Sequence, residues 1–327
     1  MATHDQLRSL VKSHAEGDDS QFYAVTMQLA AKAARGGQSK FAQELRALVN
    51  ELRQDTKSAP SVSSVVPIAK PKGELSSLMT VTYPDSRLDA LVLATDLRKR
   101  LDQVLHEQRQ RDVLARYGLT PASRLLLTGA PGTGKTSTAH AIAGELNLPL
   151  FSIRLDSLLT KFMGESAAKL RLVFDALAET RGVYLFDEVD ALGGNRAAQN
   201  DVGEIRRVLN SFLQFLEEDS SESIIVAATN YPELLDKALF RRFDTMLEFG
   251  IPADTDIEDI IKNRLATFSL SNLSWKRIVP VAHGLSHAEI TTAAENAAKI
   301  TLLDSRTRIR TDDLIEALEE RLRLIEG

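Results

Sequence analysis

The chain has 327 residues, 43% of them hydrophobic and 26% charged, with a net charge of −5 and no cysteine. That length suits two or three domains. The acidic balance gives no broad electrostatic case for nucleic acid, and the lack of cysteine excludes disulfides and thiolate metal sites. No apolar run reaches transmembrane length, and the stretch from Met1 to Leu10 lacks the apolar core of a signal peptide. A cytoplasmic protein with no membrane partner is expected.

In chain order, residues 1–54 read as three short amphipathic helices. The first is lined by Leu7, Leu10, Val11 and His14, the second by Phe22, Val25, Met27 and Leu29, and the third by Phe41, Leu45, Leu48, Val49 and Leu52. Gly17-Asp18-Asp19-Ser20 and Gly36-Gly37 separate them. Together they make a small all-α bundle with a client-binding, adaptor or oligomer-supporting role. Pro60, Pro67 and Pro71, among Ser, Lys and Val, mark residues 55–82 as a semi-extended linker. From residue 83 strands alternate with helices, which predicts a parallel sheet covered on both faces. One or two helices are expected over 91–111. Strands are expected at 124–128, 150–154, 182–186, 223–229 and 244–249. Beyond Pro252 only helices are expected, at 256–268, 287–304 and 311–324. The division is an α/β domain over 83–252 and a helical subdomain over 253–327.

Gly129-Ala130-Pro131-Gly132-Thr133-Gly134-Lys135-Thr136 lies between an apolar strand and a helix beginning near Ser137. That context is what a phosphate-binding loop requires. Glycines let backbone N–H groups curl around a phosphate, and the helix N-terminus favours anions. Lys135 suits the β/γ-phosphate oxygens and the Thr136 hydroxyl suits Mg²⁺. ATP and Mg²⁺ are therefore the expected ligands. The expected nucleotide-binding residues are Ala130, Pro131, Gly132, Thr133, Gly134, Lys135, Thr136, Ser137 and Asp187.

Val183-Tyr184-Leu185-Phe186-Asp187-Glu188 is an apolar strand ending in two acids. Neighbouring strand ends would place Asp187 beside Thr136 and the metal, and Glu188 where a carboxylate orients and deprotonates water. Asp190 reads as a solvated or capping acid. Asn230 closes another apolar strand. It is either an amide near the γ-phosphate and its attacking water or a turn-forming residue, and spacing favours neither. Arg241 and Arg242 either neutralise charge on a transferred phosphoryl group or form a solvated basic turn. His283 and His287 are four apart, but Gly284 and Ser286 favour a helix start between them over a metal pair.

These motifs occur in an order that resembles an AAA ATPase of the AAA+ class, from about residue 83 to the end. The resemblance implies a P-loop NTPase fold, a doubly wound parallel sheet with a C-terminal helical lid subdomain. It implies that Asn230 is the first sensor and that Arg241 and Arg242 are arginine fingers acting in trans. It further implies a homo-oligomeric ring, usually a hexamer. Lys161, Phe162, Met163 and Gly164 resemble the pore loop of protein-translocating relatives; without that resemblance, a core Phe and Met after a helix is the plainer reading. Gly284-Leu285-Ser286-His287-Ala288-Glu289 resembles the Gly-x-Ser-Gly-Ala-Asp element of the lid, which implies that Gly284 and Ala288 lie near adenine and ribose. The sequence departs from that element at His287 and Glu289, and from the commonest phosphate loop at Ala130.

Three functions follow. One is a motor that remodels, unfolds or threads a protein client. A second is an ATP-controlled switch or scaffold acting on a partner effector. The third, a DNA-directed motor, is disfavoured by the acidic charge. The chain contains no His-Glu-x-x-His, so a protease would be a separate partner.

Overall fold

The computed structural model describes Thr26, Pro71 and residues 73–158, 164–192 and 202–326. The chain divides into two compact units, residues 1–67 and 68–327. Thr26 apart, the three helices expected over 1–54 lie outside the described residues, as do Lys161, Phe162 and Met163.

The second unit is built on a six-stranded sheet of order β1-β3-β4-β5-β2-β6. Its strands are β1 (Met79–Thr82), β2 (Arg124–Gly129), β3 (Leu150–Ile153), β4 (Val183–Phe186), β5 (Ile224–Thr229) and β6 (Thr245–Phe249). All neighbouring pairs are parallel except β1 with β3. The central strands are buried on both sides, which explains their unbroken apolar sequence.

Alternate side chains feed two separate cores. Leu125, Leu127, Leu185 and Val226 face α2 (Thr95–Arg109) and α4 (Lys135–Leu146). Leu126, Tyr184, Phe186 and Ile225 face α6 (Glu165–Glu179) and α7 (Val202–Glu218). Short α1 (Leu75–Leu78), α3 (Arg111–Arg116), α5 (Leu155–Leu158) and α8 (Lys237–Phe240) complete the α/β layer. The doubly wound parallel sheet expected from the alternation is the observed fold.

Two differences from the expected elements matter. α1 and β1 fall inside the stretch read as a linker: Met79 pairs with Ile153 and Thr82 with Leu150, and Leu78 is fully buried. A strand of four residues following a Pro-rich segment has too short an alternation to announce itself. Residues 91–93 also do not begin a helix. Leu91 is extended, with φ −103° and ψ 134°, and α2 starts only at Thr95.

After β6 the chain is helical: α9 (Asp254–Arg264), α10 (Trp275–Ala282), α11 (His287–Leu303) and α12 (Thr311–Glu326). They enclose a third core around Ile257, Ile261, Ile278, Ala294, Ala297 and Leu318. α10 was not expected, because it has eight residues and an internal Pro280.

Candidate active site

Parallel register brings the C-terminal ends of β2, β4 and β5 to one edge of the sheet. Thr128 aligns with Thr229, and Phe186 with Ala227. Such an edge is where doubly wound sheets bind ligands. The loop after β2, the acids after β4 and the amide after β5 therefore converge, although they are far apart in sequence.

The loop after β2 is held by its own backbone. Lys135 Nζ donates to the carbonyls of Gly129 (2.7 Å) and Ala130 (2.8 Å), and Thr133 Oγ1 donates to Ala130 (2.8 Å). Lys135 is buried. Desolvation lowers its pKa, against the opposing pull of Asp187 and Asp190. A buried ammonium satisfied only by carbonyls is poised for an anionic partner. Two glycines fix the loop's shape. At Gly129 a Cβ would meet the Phe249 carbonyl oxygen at 2.1 Å; at Gly132, where φ is +74°, it would meet Ser286 Oγ at 2.6 Å. Bare backbone therefore lines the cradle.

Thr136 Oγ1 donates to Asp187 Oδ2 at 2.8 Å. This hydroxyl–carboxylate pair is a hard-oxygen donor set that fits Mg²⁺ shared with phosphate oxygens. Among the described residues there is no cluster of three or more His, Cys, Asp or Glu able to hold a metal alone.

Glu188 has φ +55°, a conformation that costs a bulky residue about 1–3 kcal/mol. Its N–H donates to Asp187 Oδ1 (3.0 Å), and its carbonyl accepts from Ala191 N (2.9 Å). This turn leaves the Glu188 carboxylate exposed on the cleft.

Asp190 is half-buried and bonded. Its Oδ1 accepts from Thr229 Oγ1 (2.8 Å) and from Asn230 N (3.3 Å), while Tyr231 N donates to Thr229 Oγ1 (3.0 Å). Asp190 thus ties the end of β4 to the turn that carries Asn230. It does cap backbone, but at a site that positions the amide.

These groups line a cleft of about 870 Å³ between the sheet edge and the lid. Pro131, Gly132, Thr133, Gly134, Lys135, Thr136, Ser137, Asp187, Glu188 and Asn230 form one wall. The lid supplies Ile260, Asn263, Arg264, His287, Ala288, Thr291 and Thr292, and residues 90–93 close one end. Ala288 N donates to the Gly132 carbonyl at 2.9 Å, so the lid touches the phosphate loop directly. Glu289 instead pairs with Arg321 of α12. Gly284 is exposed and is not among the cleft residues.

Neither Arg241 nor Arg242 lines this cleft, and the two differ. Arg242 donates to the Ala238 carbonyl (2.7 Å) and pairs with Glu217 (2.8 Å). Arg241 is exposed, and its side chain makes no hydrogen bond or ion pair among the described residues. Gly164 is exposed with φ +84° and caps α6; the rest of the expected pore loop lies outside the described residues.

Sequence reasoning missed the strap at 90–93 and the polar positions Asn263, Thr291 and Thr292. The strap's signal was present in Leu91-Val92-Leu93, which is apolar without helical spacing. The lid polar residues carried no motif.

Residues 125–251 match the ATPase family associated with various cellular activities (AAA). An uncharacterized AAA family ATPase of Sinorhizobium fredii is 31% identical over 324 residues, covering 99% of this chain and 96% of its own. The chain belongs to the AAA ATPase family. It is accordingly an ATP-hydrolysing enzyme on a P-loop fold. This AAA ATPase is also similar to the ATP-dependent zinc metalloprotease FtsH 1 of Methylacidiphilum infernorum, 37% identical over 204 residues. It is 31% identical over 217 residues to the proteasome-activating nucleotidase of Thermococcus gammatolerans. The chain spans 32% of the metalloprotease and 54% of the nucleotidase.

Proposed function

We propose that this ATPase works as a homo-oligomeric ring, a hexamer, that unfolds or threads a protein client through its central pore. The observation that carries the reading is the unequal arginine pair. Lys135, Thr136, Asp187, Glu188 and Asn230 line the cleft, while the Arg241 side chain is exposed outside it and has no bond among the described residues, which supports its serving a neighbouring copy. The names of the similar proteins, a metalloprotease and a proteasome activator, support a protein client and a separate protease or effector as partner.

In this reading the loop N–H groups and Lys135 hold the β- and γ-phosphates of ATP. Mg²⁺ between Thr136 and Asp187 would neutralise phosphate charge. Glu188 takes a proton from the water that attacks the γ-phosphorus, and Asn230 orients that water. The bond to the β-phosphate oxygen breaks, leaving ADP and phosphate. Arg241 of the adjacent copy stabilises the charge on the phosphoryl group in flight. Ala288 borders the nucleoside, Gly284 supports the turn before it, and Arg242 fixes the segment that presents Arg241. The loop Lys161, Phe162, Met163 and Gly164 grips the client.

The test is the Phe162→Ala protein assayed for ATP turnover and for unfolding of a loosely folded fluorescent substrate. Turnover should persist while unfolding is lost. If unfolding also persists, the pore role fails and an ATP-controlled switch takes its place. A Glu188→Gln protein that stays monomeric in ATP by light scattering removes the ring.

A further inference from the structure

The strap at 90–93 joins two bodies. Leu91 and Leu93 pack against the core shared by α2, α4 and the sheet. Val92, between them, packs against the lid core. An extended segment sends alternate side chains in opposite directions, so the strap braces the lid against the sheet at the apolar end of the cleft. Its backbone is held by one lid side chain: His287 Nε2 lies 3.1 Å from the Val92 carbonyl. A carbonyl only accepts, so Nε2 carries the proton. Burial lowers the pKa of the ring, and its Nδ1 is buried without a partner among the described residues. The ring thus makes a single directional bond, from Nε2 to the Val92 carbonyl.

The next residue, Ala288, donates to the Gly132 carbonyl at 2.9 Å. The residue before, Ser286, caps α11 by accepting from Glu289 N at 3.3 Å, and its Oγ stands where a Cβ on Gly132 would go. One turn of the lid thus touches both ends of the cleft, the phosphate loop through 286 and 288 and the strap through 287. Glycine, the residue at this place in the lid element that the segment resembles, has no side chain with which to reach the strap.

We infer that His287 is a nucleotide-positioning residue. It latches the strap to the lid and so fixes the width of the slot that takes the nucleoside. The latch acts through Val92 and does not touch the reacting atoms. This inference rests on the reading of the cleft as the nucleotide site.

The experiment compares the parent with His287→Gly, His287→Gln and Lys135→Ala in the full-length protein. It uses binding of a fluorescent ADP analogue, steady-state kinetics and amide hydrogen exchange. Loss of one directional hydrogen bond predicts about tenfold weaker binding in His287→Gly. The loss should fall on KM more than on kcat, and exchange should quicken at 90–93 with α4 unchanged. His287→Gln, which keeps a donor near Nε2, should recover most of the affinity. Parent-like binding by His287→Gly overturns the latch. So does a His287→Gln protein as weak as His287→Gly, because the effect would then be ring packing. Lys135→Ala keeps the two readings apart. If it binds the analogue normally, the nucleotide site itself is misplaced, whatever the His287 proteins do.

Discussion

The two walls of the cleft are built on different principles. The sheet wall presents Asp187, Glu188 and Asn230 from strand ends, and Lys135 and Thr136 from the loop and helix that follow β2, with the strands' relative positions fixed by register. The lid wall presents Ala288 backbone, a histidine and short polar side chains from helices with their own core. Chemistry needs groups held to within a fraction of an ångström, which a rigid ladder provides. The lid wall rests on a core of its own, apart from the two that pack on the sheet. The difference predicts that sheet-wall changes act on turnover and lid-wall changes on affinity.

The largest expected effect belongs to neither wall. Arg241→Ala should lower turnover by about 10³–10⁵, the range for an arginine that stabilises phosphoryl transfer, with little loss of thermal stability because the side chain makes no hydrogen bond or ion pair among the described residues. Mixing it with Lys135→Ala protein should restore part of the activity; an inert mixture removes action in trans. Next is Glu188→Gln, which should cut phosphate release by about 10²–10⁴ while ATP stays bound. Turnover near the parent's would move the base elsewhere.

A smaller effect tests the link behind the sheet wall. Asp190→Asn weakens the bonds that hold Thr229 and Asn230, and a loss of about 1.5 kcal/mol per charged hydrogen bond corresponds to a roughly tenfold lower kcat with KM little changed. A change in KM alone would show that Asp190 serves binding. A comparable effect lies where the walls meet. Gly132→Ala should weaken nucleotide binding through both a strained φ, about 1–2 kcal/mol, and the clash with Ser286. Adding Ser286→Ala should recover only the part of the clash due to Oγ, read by titration calorimetry. Complete recovery would mean that backbone strain is negligible there.

The same contrast explains what was legible in the sequence. The sheet wall could be read because each functional group follows an apolar strand, and parallel pairing then gives the spatial arrangement without coordinates. Asp190 was the exception. Its position after Glu188 suggests a solvated or capping acid, and only the pairing of β4 with β5 reveals that it faces Thr229. The lid wall was legible only in its helices. Helical periodicity reports which side chains enter the lid core. It does not report which turn backs onto Gly132, nor that Leu91, Val92 and Leu93 divide themselves between two cores. Arg241 and Arg242 look alike in sequence, and their different surroundings come from Glu217 on α7.

β1 gives the short antiparallel pairing at the sheet's margin a practical meaning. It covers the outer edge of β3 along four residues, Leu150 to Ile153. A chain trimmed to begin at residue 83, the domain boundary suggested by sequence, would lack that cover. β3 would then offer a row of unpaired N–H and C=O groups beside Leu78's vacated core position, a template for strands of other molecules. Aggregation of such a truncated protein would originate at that margin and would say nothing about the cleft at the C-terminal ends of β2, β4 and β5.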